Sequence, residues 1–83
     1  MATIVVEHRF KDRPFDVARY RQVQNENHWC LETHRVRHLH SYISEDGRRM
    51  ICVFEAPDLE ALRRTSVELG YTYDAAWPAT VVD

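Results

Sequence analysis

Two histidines, His38 and His40, are the residues whose type and spacing most directly suggest chemistry in this sequence. They form an H-x-H pair in a segment typical of a β-strand, where residues two apart face the same side with backbones about 7 Å apart. Imidazole nitrogens at this spacing suit two ligands of a nickel, zinc or copper ion. The pair therefore predicts a divalent metal site on one face of a sheet.

A third ligand has to come from a neighbouring strand. Glu55 ends the next β-like segment and is expected opposite His38 across a hairpin. A carboxylate oxygen can complete a site that begins with two imidazoles. We therefore predict that the metal ligands are His38, His40 and Glu55, with nickel or another divalent transition metal as the cofactor.

The first strand, predicted over Thr3–Phe10, decides whether a second glutamate shares this face. This strand can face the helices in two orientations, and the one that turns more apolar side chains toward them places Ile4, Val6 and Phe10 there. Because successive strand residues alternate in direction, Glu7 then lies on the histidine face and His8 on the helix face. Glu7 is therefore a further candidate for this site.

The same face also permits acid–base catalysis. A histidine titrates near neutral pH, an adjacent glutamate can raise its basicity, and a tyrosine can donate a hydrogen bond to a developing enolate. In this alternative, His40, Tyr42 and Glu7 are the catalytic residues of a small enzyme of the cyclase or isomerase type. Such an enzyme transfers protons on a hydrophobic substrate. A third alternative is that the histidines are ordinary half-buried side chains.

The segment 36–55 is predicted to form the hairpin that positions these side chains. Asp46-Gly47 between two β-like runs is a strong signal for a two-residue turn, since Gly47 accepts a positive φ and Asp46 tolerates it. The turn sets the register of the pairs that we expect: Ile43 with Met50, Tyr42 with Ile51, Ser41 with Cys52, His40 with Val53, and His38 with Glu55.

The remaining elements complete a β-α-β-β-α-β order. A first helix is predicted over residues 14 to about 31 or 34, a second over Leu59–Leu69 with Asp58 and Gly70 as its caps, and a last strand over Ala76–Val82. This order is the ferredoxin-like plan of the α+β class. It predicts a four-stranded antiparallel sheet with strands 1 and 3 in the centre and two helices on one face, in a single domain over residues 1–83.

The histidine face has no helix of its own to cover it. It is expected to carry Tyr42, Ile51 and Val53, which make it more apolar than a solvent-facing sheet surface usually is. A chain of 83 residues with half of its sheet uncovered has a strong reason to associate with a second copy. We therefore predict a homodimer through this face, with a cavity between the sheets for a small-molecule ligand.

The composition argues against several other partners. The net charge is −2 with mixed signs, which gives no electrostatic basis for binding nucleic acid. No apolar run approaches the length that spans a membrane, and the first residues do not resemble a signal peptide. Cys30 and Cys52 lie too far apart for a zinc ribbon or a redox C-x-x-C and are interpreted as reduced structural thiols. We expect a cytoplasmic protein without membrane contact.

The segment Ser41–Asp58, S-Y-I-S-E-D-G-R-R-M-I-C-V-F-E-A-P-D, resembles a small ferredoxin-like family first catalogued as a domain of unknown function. Some members of that family are described as nickel-binding. The similarity extends to V-V-E at residues 5–7 and to E-L-G at residues 68–70, so it covers most of the chain. The resemblance implies the ferredoxin-like fold, dimerisation and metal binding, and it assigns no ligand in this chain.

Overall fold

The computed structural model describes residues 1–22, 33–70 and 72–82. Within these ranges, four strands form one antiparallel sheet: β1 (Ala2–Arg9), β2 (Arg37–Ile43), β3 (Arg49–Ala56) and β4 (Ala75–Ala79). The order across the sheet is β2-β3-β1-β4, which puts β1 and β3 in the centre and the other two at the edges. The ferredoxin-like strand order predicted from the sequence is confirmed.

Two helices accompany the sheet. The described part of α1 covers residues 17–22, and α2 covers Leu59–Leu69. The first helix begins after the predicted residue 14 because Asp16 caps it, accepting a hydrogen bond from the backbone N–H of Arg19 at 3.1 Å. Of its two predicted ends, residue 31 lies outside the described residues, whereas near the other Thr33 is helical and His34 begins a turn. No helix in the described ranges is long and apolar enough to cross a membrane.

The second helix has both of its predicted caps. Asp58 Oδ1 accepts a hydrogen bond from the backbone N–H of Ala61 at 2.8 Å. Gly70 takes the left-handed conformation at φ +67°, and its N–H bonds to the carbonyls of Ser66 and Val67. These caps satisfy backbone groups that a helix leaves without partners at its ends.

The core lies between the helices and one face of the sheet. Leu62 of α2 packs there with the buried strand residues Ile4, Val6, Met50, Cys52, Phe54 and Ala56. Tyr20 of α1 is partly buried against the same cluster. Both helices therefore cover the same face of the sheet, and we call it the helix face.

The hairpin keeps the predicted register over most of its length. The confirmed pairs are Ile43 with Met50, Tyr42 with Ile51, Ser41 with Cys52, and His40 with Val53. An irregularity at Leu39 then shifts the pairing by one residue, so that His38 pairs with Phe54 and Arg37 with Glu55. The predicted pairing of His38 with Glu55 is therefore wrong, because the extra residue of a β-bulge turns His38 to the face of Phe54.

The turn between β2 and β3 is wider than the predicted two-residue turn. A type I′ turn requires a positive φ at both central residues, but Asp46 keeps a negative φ and only Gly47 is positive, at +71°. The N–H of Gly47 donates to the carbonyl of Ser44 at 2.9 Å. The Asp46 carboxylate accepts from the Ser44 hydroxyl and from the N–H of Arg48, and these bonds stabilise a turn that starts at Ser44.

Candidate functional site

The sheet face that the described parts of the helices leave uncovered is the candidate site, and we call it the open face. Cross-strand pairing places on it Arg37, His40, Tyr42, Ile51, Val53, Glu55, Thr3, Val5, Glu7, Ala75 and Trp77. Its most exposed large apolar side chains are Tyr42 at 67%, Trp77 at 45% and Ile51 at 37%. The face combines apolar surface with ionisable groups, as the sequence predicts.

His40 and Tyr42 lie side by side on this face. Their ring centroids are 5.2 Å apart and the ring planes are at 80°, so the rings meet edge to face. His40 is exposed, and Val53 lies opposite it on β3. Because the contact restricts how the imidazole can turn, Tyr42 helps to orient it. The structure thus brings these two predicted site residues together.

Glu7 lies on the open face as predicted, but it contacts β4 rather than β2. Its Oε2 accepts a hydrogen bond from Nε1 of Trp77 at 3.1 Å. Strand β3 separates Glu7 from His40, and their partners on β3, Ile51 and Val53, are two residues apart, which puts the two backbones about 12 Å apart at ordinary strand spacing. The role of Glu7 in acid–base catalysis therefore stays a prediction. In this structure its carboxylate is hydrogen-bonded to the indole of Trp77.

His8 occupies the helix face, as the alternation of the first strand predicts. It is 5% exposed, and its ring stacks on that of Phe10 with centroids 5.9 Å apart. Burial lowers the pKa of His8 below its ordinary value, while the charge of Asp74 and a hydrogen bond to the Thr72 backbone oppose this. His8 is a core residue of the helix face, and it also borders the cavity at the hairpin end of the sheet that is described below.

His38 also lies on the helix face, because of the bulge at Leu39. Its Nε2 is 2.8 Å from Ser41 Oγ, and its ring centroid is 5.2 Å from that of Phe54. Burial lowers the pKa of His38, and the nearby His40 lowers it further, while a hydrogen bond to the His40 backbone opposes them. The expectation that both histidines of the H-x-H pair share one face is therefore wrong.

The predicted ligand set is consequently not assembled on one face. His40 and Glu55 remain on the open face as diagonal neighbours on adjacent strands, a separation of about 7–8 Å that long side chains can bridge. Over the ranges that the structure describes, no group of three or more His, Cys, Asp or Glu side chains is placed to hold a metal ion. The ligand roles of His38, His40 and Glu55 stay predictions.

A cavity of about 310 Å³ opens where the open face meets the hairpin turn. Glu7, Tyr42, Ile51 and Arg49 contribute to its lining. This volume lies at the lower end of the range typical of small-molecule sites. Two of the residues predicted for acid–base catalysis, Glu7 and Tyr42, thus border one cavity.

A polar group on the helix face was not singled out by sequence reasoning. The Ser41 hydroxyl lies 3.0 Å from Cys52 Sγ, and the Tyr20 hydroxyl lies 3.8 Å from the same sulfur. Cys52 is completely buried and reduced. The register predicted from the sequence already pairs Ser41 with Cys52. The bulge that brings His38 next to this pair is not marked by any residue pattern in the sequence. Cys30, the other predicted structural thiol, lies outside the described residues.

Comparisons with known proteins agree with this fold. A profile of the family described as "Nickel responsive protein SCO4226-like" matches residues 5–78. The crystal structure of SCO4226 from Streptomyces coelicolor A3(2) superimposes with a TM-score of 0.81 at 16% sequence identity, covering 99% of this chain and 100% of that chain. No curated protein matches the chain. The structural likeness shows the shared fold, and because the profile covers most of the sequence, the chain belongs to the SCO4226-like family of nickel responsive proteins.

Proposed function

We propose that this protein binds a divalent transition metal, nickel before others, at the open face of its sheet. The observation that carries the proposal is the exposed imidazole of His40 on that face, in a chain whose family is described as nickel responsive. Neutral imidazole is a suitable donor for nickel. His40 is the first ligand of the proposed site, and its diagonal neighbour Glu55 is the second.

A second copy of the chain completes the proposed site. The exposed parts of Tyr42, Trp77 and Ile51 form apolar surface that association would remove from water. A two-fold axis through the open face would bring a second His40 and a second Glu55 toward the first pair. Two imidazoles and two carboxylates then form a four-donor set, and His38 is not among them because it lies on the helix face.

The proposed homodimer works in the cytoplasm. A reduced, buried thiol such as Cys52 persists in that compartment. Its proposed partners are the metal ion and a small-molecule ligand, and nucleic acid is not among them because the net charge is −2.

Calorimetric titration with nickel chloride tests the ligands. We expect His40→Ala to abolish nickel binding and Glu55→Gln to weaken it, while circular dichroism shows the wild-type fold in both. His38→Gln is the matched control, because it removes an imidazole from the same strand on the opposite face. Equal nickel affinity of the wild type and His40→Ala would remove the proposal, and loss of nickel binding in the control would contradict the assignment of faces.

Sedimentation velocity tests the shared site separately. The wild type is expected to sediment as a dimer, and nickel is expected to shift any remaining monomer toward the dimer, since a ligand held by both copies stabilises their association. Tyr42→Glu places a carboxylate in the apolar part of the interface and should yield a monomer with weakened nickel binding. A monomer that binds nickel with full affinity would contradict the two-copy site.

A second candidate function is proton transfer on a small hydrophobic substrate, and the cavity beside Glu7 and Tyr42 favours it. In this function His40 or Glu7 takes a proton from carbon, and Tyr42 donates a hydrogen bond to the developing enolate. Exchange of the α-protons of cyclohexanone in heavy water, followed by NMR, tests this chemistry. Glu7→Gln and Tyr42→Phe should each slow the exchange, and an exchange rate equal to that of buffer in the wild type would rule this candidate out.

A further inference from the structure

Two arginines occupy paired positions where the open face meets the hairpin turn. Arg9 is the last residue of β1, Arg49 is the first of β3, and the two lie directly opposite each other. The next pair toward the turn is hydrogen-bonded, since the N–H of Phe10 donates to the carbonyl of Arg48 at 2.8 Å. Because hydrogen-bonded and non-hydrogen-bonded pairs alternate, the arginine pair is of the second kind, with Cα atoms about 4.5 Å apart and side chains close together.

Both arginine side chains belong to the open face. Their neighbours along the strands, His8 and Met50, are buried on the helix face, so the arginines point to the opposite side. Arg9 and Arg49 are exposed, and both line the cavity of about 310 Å³ described above. This cavity therefore has two guanidinium groups at its end nearest the turn.

The two guanidinium groups have no counter-ion among the residues that the structure describes. The ion pairs in those ranges lie on α2 or join it to His34, and none includes Arg9 or Arg49. The carboxylate of Asp74 accepts a hydrogen bond at 2.6 Å from the backbone N–H of Arg9 rather than from its side chain. Like charges directly opposite each other in a sheet are destabilising. An anion bound between the two arginines would remove this repulsion.

One row farther from the turn, the cavity is largely apolar. Tyr42 on β2 is paired with Ile51 on β3, which is paired in turn with Glu7 on β1. Residues two apart on a strand are separated by about 7 Å, so this row lies about 7 Å from the arginines. The exposed side chains of Tyr42 and Ile51 offer a surface for an apolar group of that length. A ligand that is charged at one end and apolar at the other matches this arrangement.

The charges that line the cavity determine which ligand charge it suits. The two arginines contribute two positive charges and Glu7 contributes one negative charge. His8 adds none at neutral pH, because burial lowers its pKa. A single positive charge remains, and a monoanion neutralises it. A dianion would leave an excess of negative charge beside the Glu7 carboxylate.

We infer that this cavity binds a monocarboxylate with a flat apolar body, and that Arg9 and Arg49 hold the carboxylate. The apolar body lies on Tyr42 and Ile51. Guanidinium groups suit this ligand, because their N–H donors match the two oxygens of a carboxylate and their planes stack on aromatic rings. The inference rests on the cavity of the second candidate function and names its ligand class. Binding requires no proton transfer, so the two can be measured separately.

Calorimetric titration with 2-naphthoate at low ionic strength tests the site, and the wild type is expected to bind one equivalent per chain. Naphthalene-2-carboxamide has the same shape without the charge, and acetate has the charge without the apolar body. Each should bind at least about tenfold more weakly than 2-naphthoate. Arg9→Gln and Arg49→Gln should each weaken 2-naphthoate binding at least about tenfold. Arg37→Gln is the matched control and should bind as the wild type does, because Arg37 is exposed on the same face at the far end of β2.

Thermal melts supply a readout that a purely structural role of the arginines would not give. In the absence of ligand, Arg9→Gln should raise the melting temperature, because it removes the repulsion between paired like charges. Addition of 2-naphthoate should raise the melting temperature of the wild type by mass action and have a much smaller effect on Arg9→Gln.

Four results would overturn this inference. They are equal affinity for 2-naphthoate and its carboxamide, wild-type affinity in both Arg9→Gln and Arg49→Gln, an equal loss of affinity in Arg37→Gln, and a lower melting temperature of ligand-free Arg9→Gln. Should one arginine variant fail to fold, the other variant and the carboxamide still decide the question. Absence of α-proton exchange would refute the second candidate function alone, since it leaves the affinity for 2-naphthoate unchanged.

Discussion

Removal of the N-cap of α2 is predicted to destabilise the protein by an amount that can be derived from one hydrogen bond and one charge. Asp58 Oδ1 accepts a hydrogen bond from the backbone N–H of Ala61 at 2.8 Å. This N–H lies in the first turn of α2, where backbone N–H groups have no partner within the helix. Loss of such a cap in Asp58→Ala costs about 1 kcal/mol. Loss of the negative charge at the positive end of the helix dipole adds about 0.3–1 kcal/mol. The expected total is roughly 1–2 kcal/mol.

A second variant at the same position separates the two contributions. Asp58→Asn keeps a side-chain oxygen that can accept from Ala61 but removes the charge, so it should cost only about 0.3–1 kcal/mol. The difference between the two variants then measures the hydrogen bond itself. Both variants leave the open face untouched, because α2 packs on the opposite face of the sheet.

Thermal and urea unfolding followed by circular dichroism measure the effect. A domain of this size shifts its melting temperature by roughly 4–8 °C for each kcal/mol, so Asp58→Ala should lower it by about 4–16 °C. Nickel affinity at the temperature where both variants are folded should equal that of the wild type. Equal destabilisation by the Ala and Asn variants would refute the reasoning, because the cap bond would then contribute nothing.

Two further predictions follow from the described residues. Acidification from about pH 7.5 to about pH 5 should lower the urea midpoint, because burial holds the pKa values of His8 and His38 below their ordinary value of 6.5. A base whose pKa is lowered in the folded state stabilises the fold fully above its unfolded-state pKa. That stabilisation is lost as the pH falls through the folded-state pKa. A urea midpoint that rises on acidification would contradict this prediction. Gly47→Ala should destabilise more than Gly70→Ala in thermal melts. Both incur the left-handed penalty of roughly 1–2 kcal/mol, but an added Cβ at Gly47 also meets Pro14 Cβ at 3.0 Å, whereas nothing lies within 4 Å of one at Gly70. Equal melting temperatures would show that the contact with Pro14 relaxes without cost.

The sequence by itself determined the features that depend on local periodicity and on cap chemistry. The more apolar orientation of the first strand favoured Glu7 on the open face and His8 toward the helices, and the structure has this arrangement. Asp58 and Gly70 marked the ends of the second helix correctly. Such signals are readable because a strand alternates with a period of two and because helix ends need particular residues, whatever the rest of the chain does.

A backbone bond between distant segments joins the start of α1 to the hairpin turn, whereas the form of that turn depends on local side-chain bonds. The N–H of Phe15 donates to the carbonyl of Gly47 at 2.9 Å, which joins the segment before the helix to the turn between β2 and β3. The sequence signal at Asp46-Gly47 identified a turn at the right place and the right register. The width of that turn was decided by the bonds that Asp46 makes with Ser44 and Arg48.

Only the tertiary structure decided which histidines can act together. An H-x-H pair in a regular strand puts both rings on one face, and nothing in the residue pattern marks the extra residue at Leu39. The bulge places His38 against Phe54 and Ser41 on the helix face, and it leaves His40 with Tyr42 on the open face. A bulge forms where packing on both sides of the sheet outweighs a regular ladder, and that balance depends on side chains far apart in the sequence.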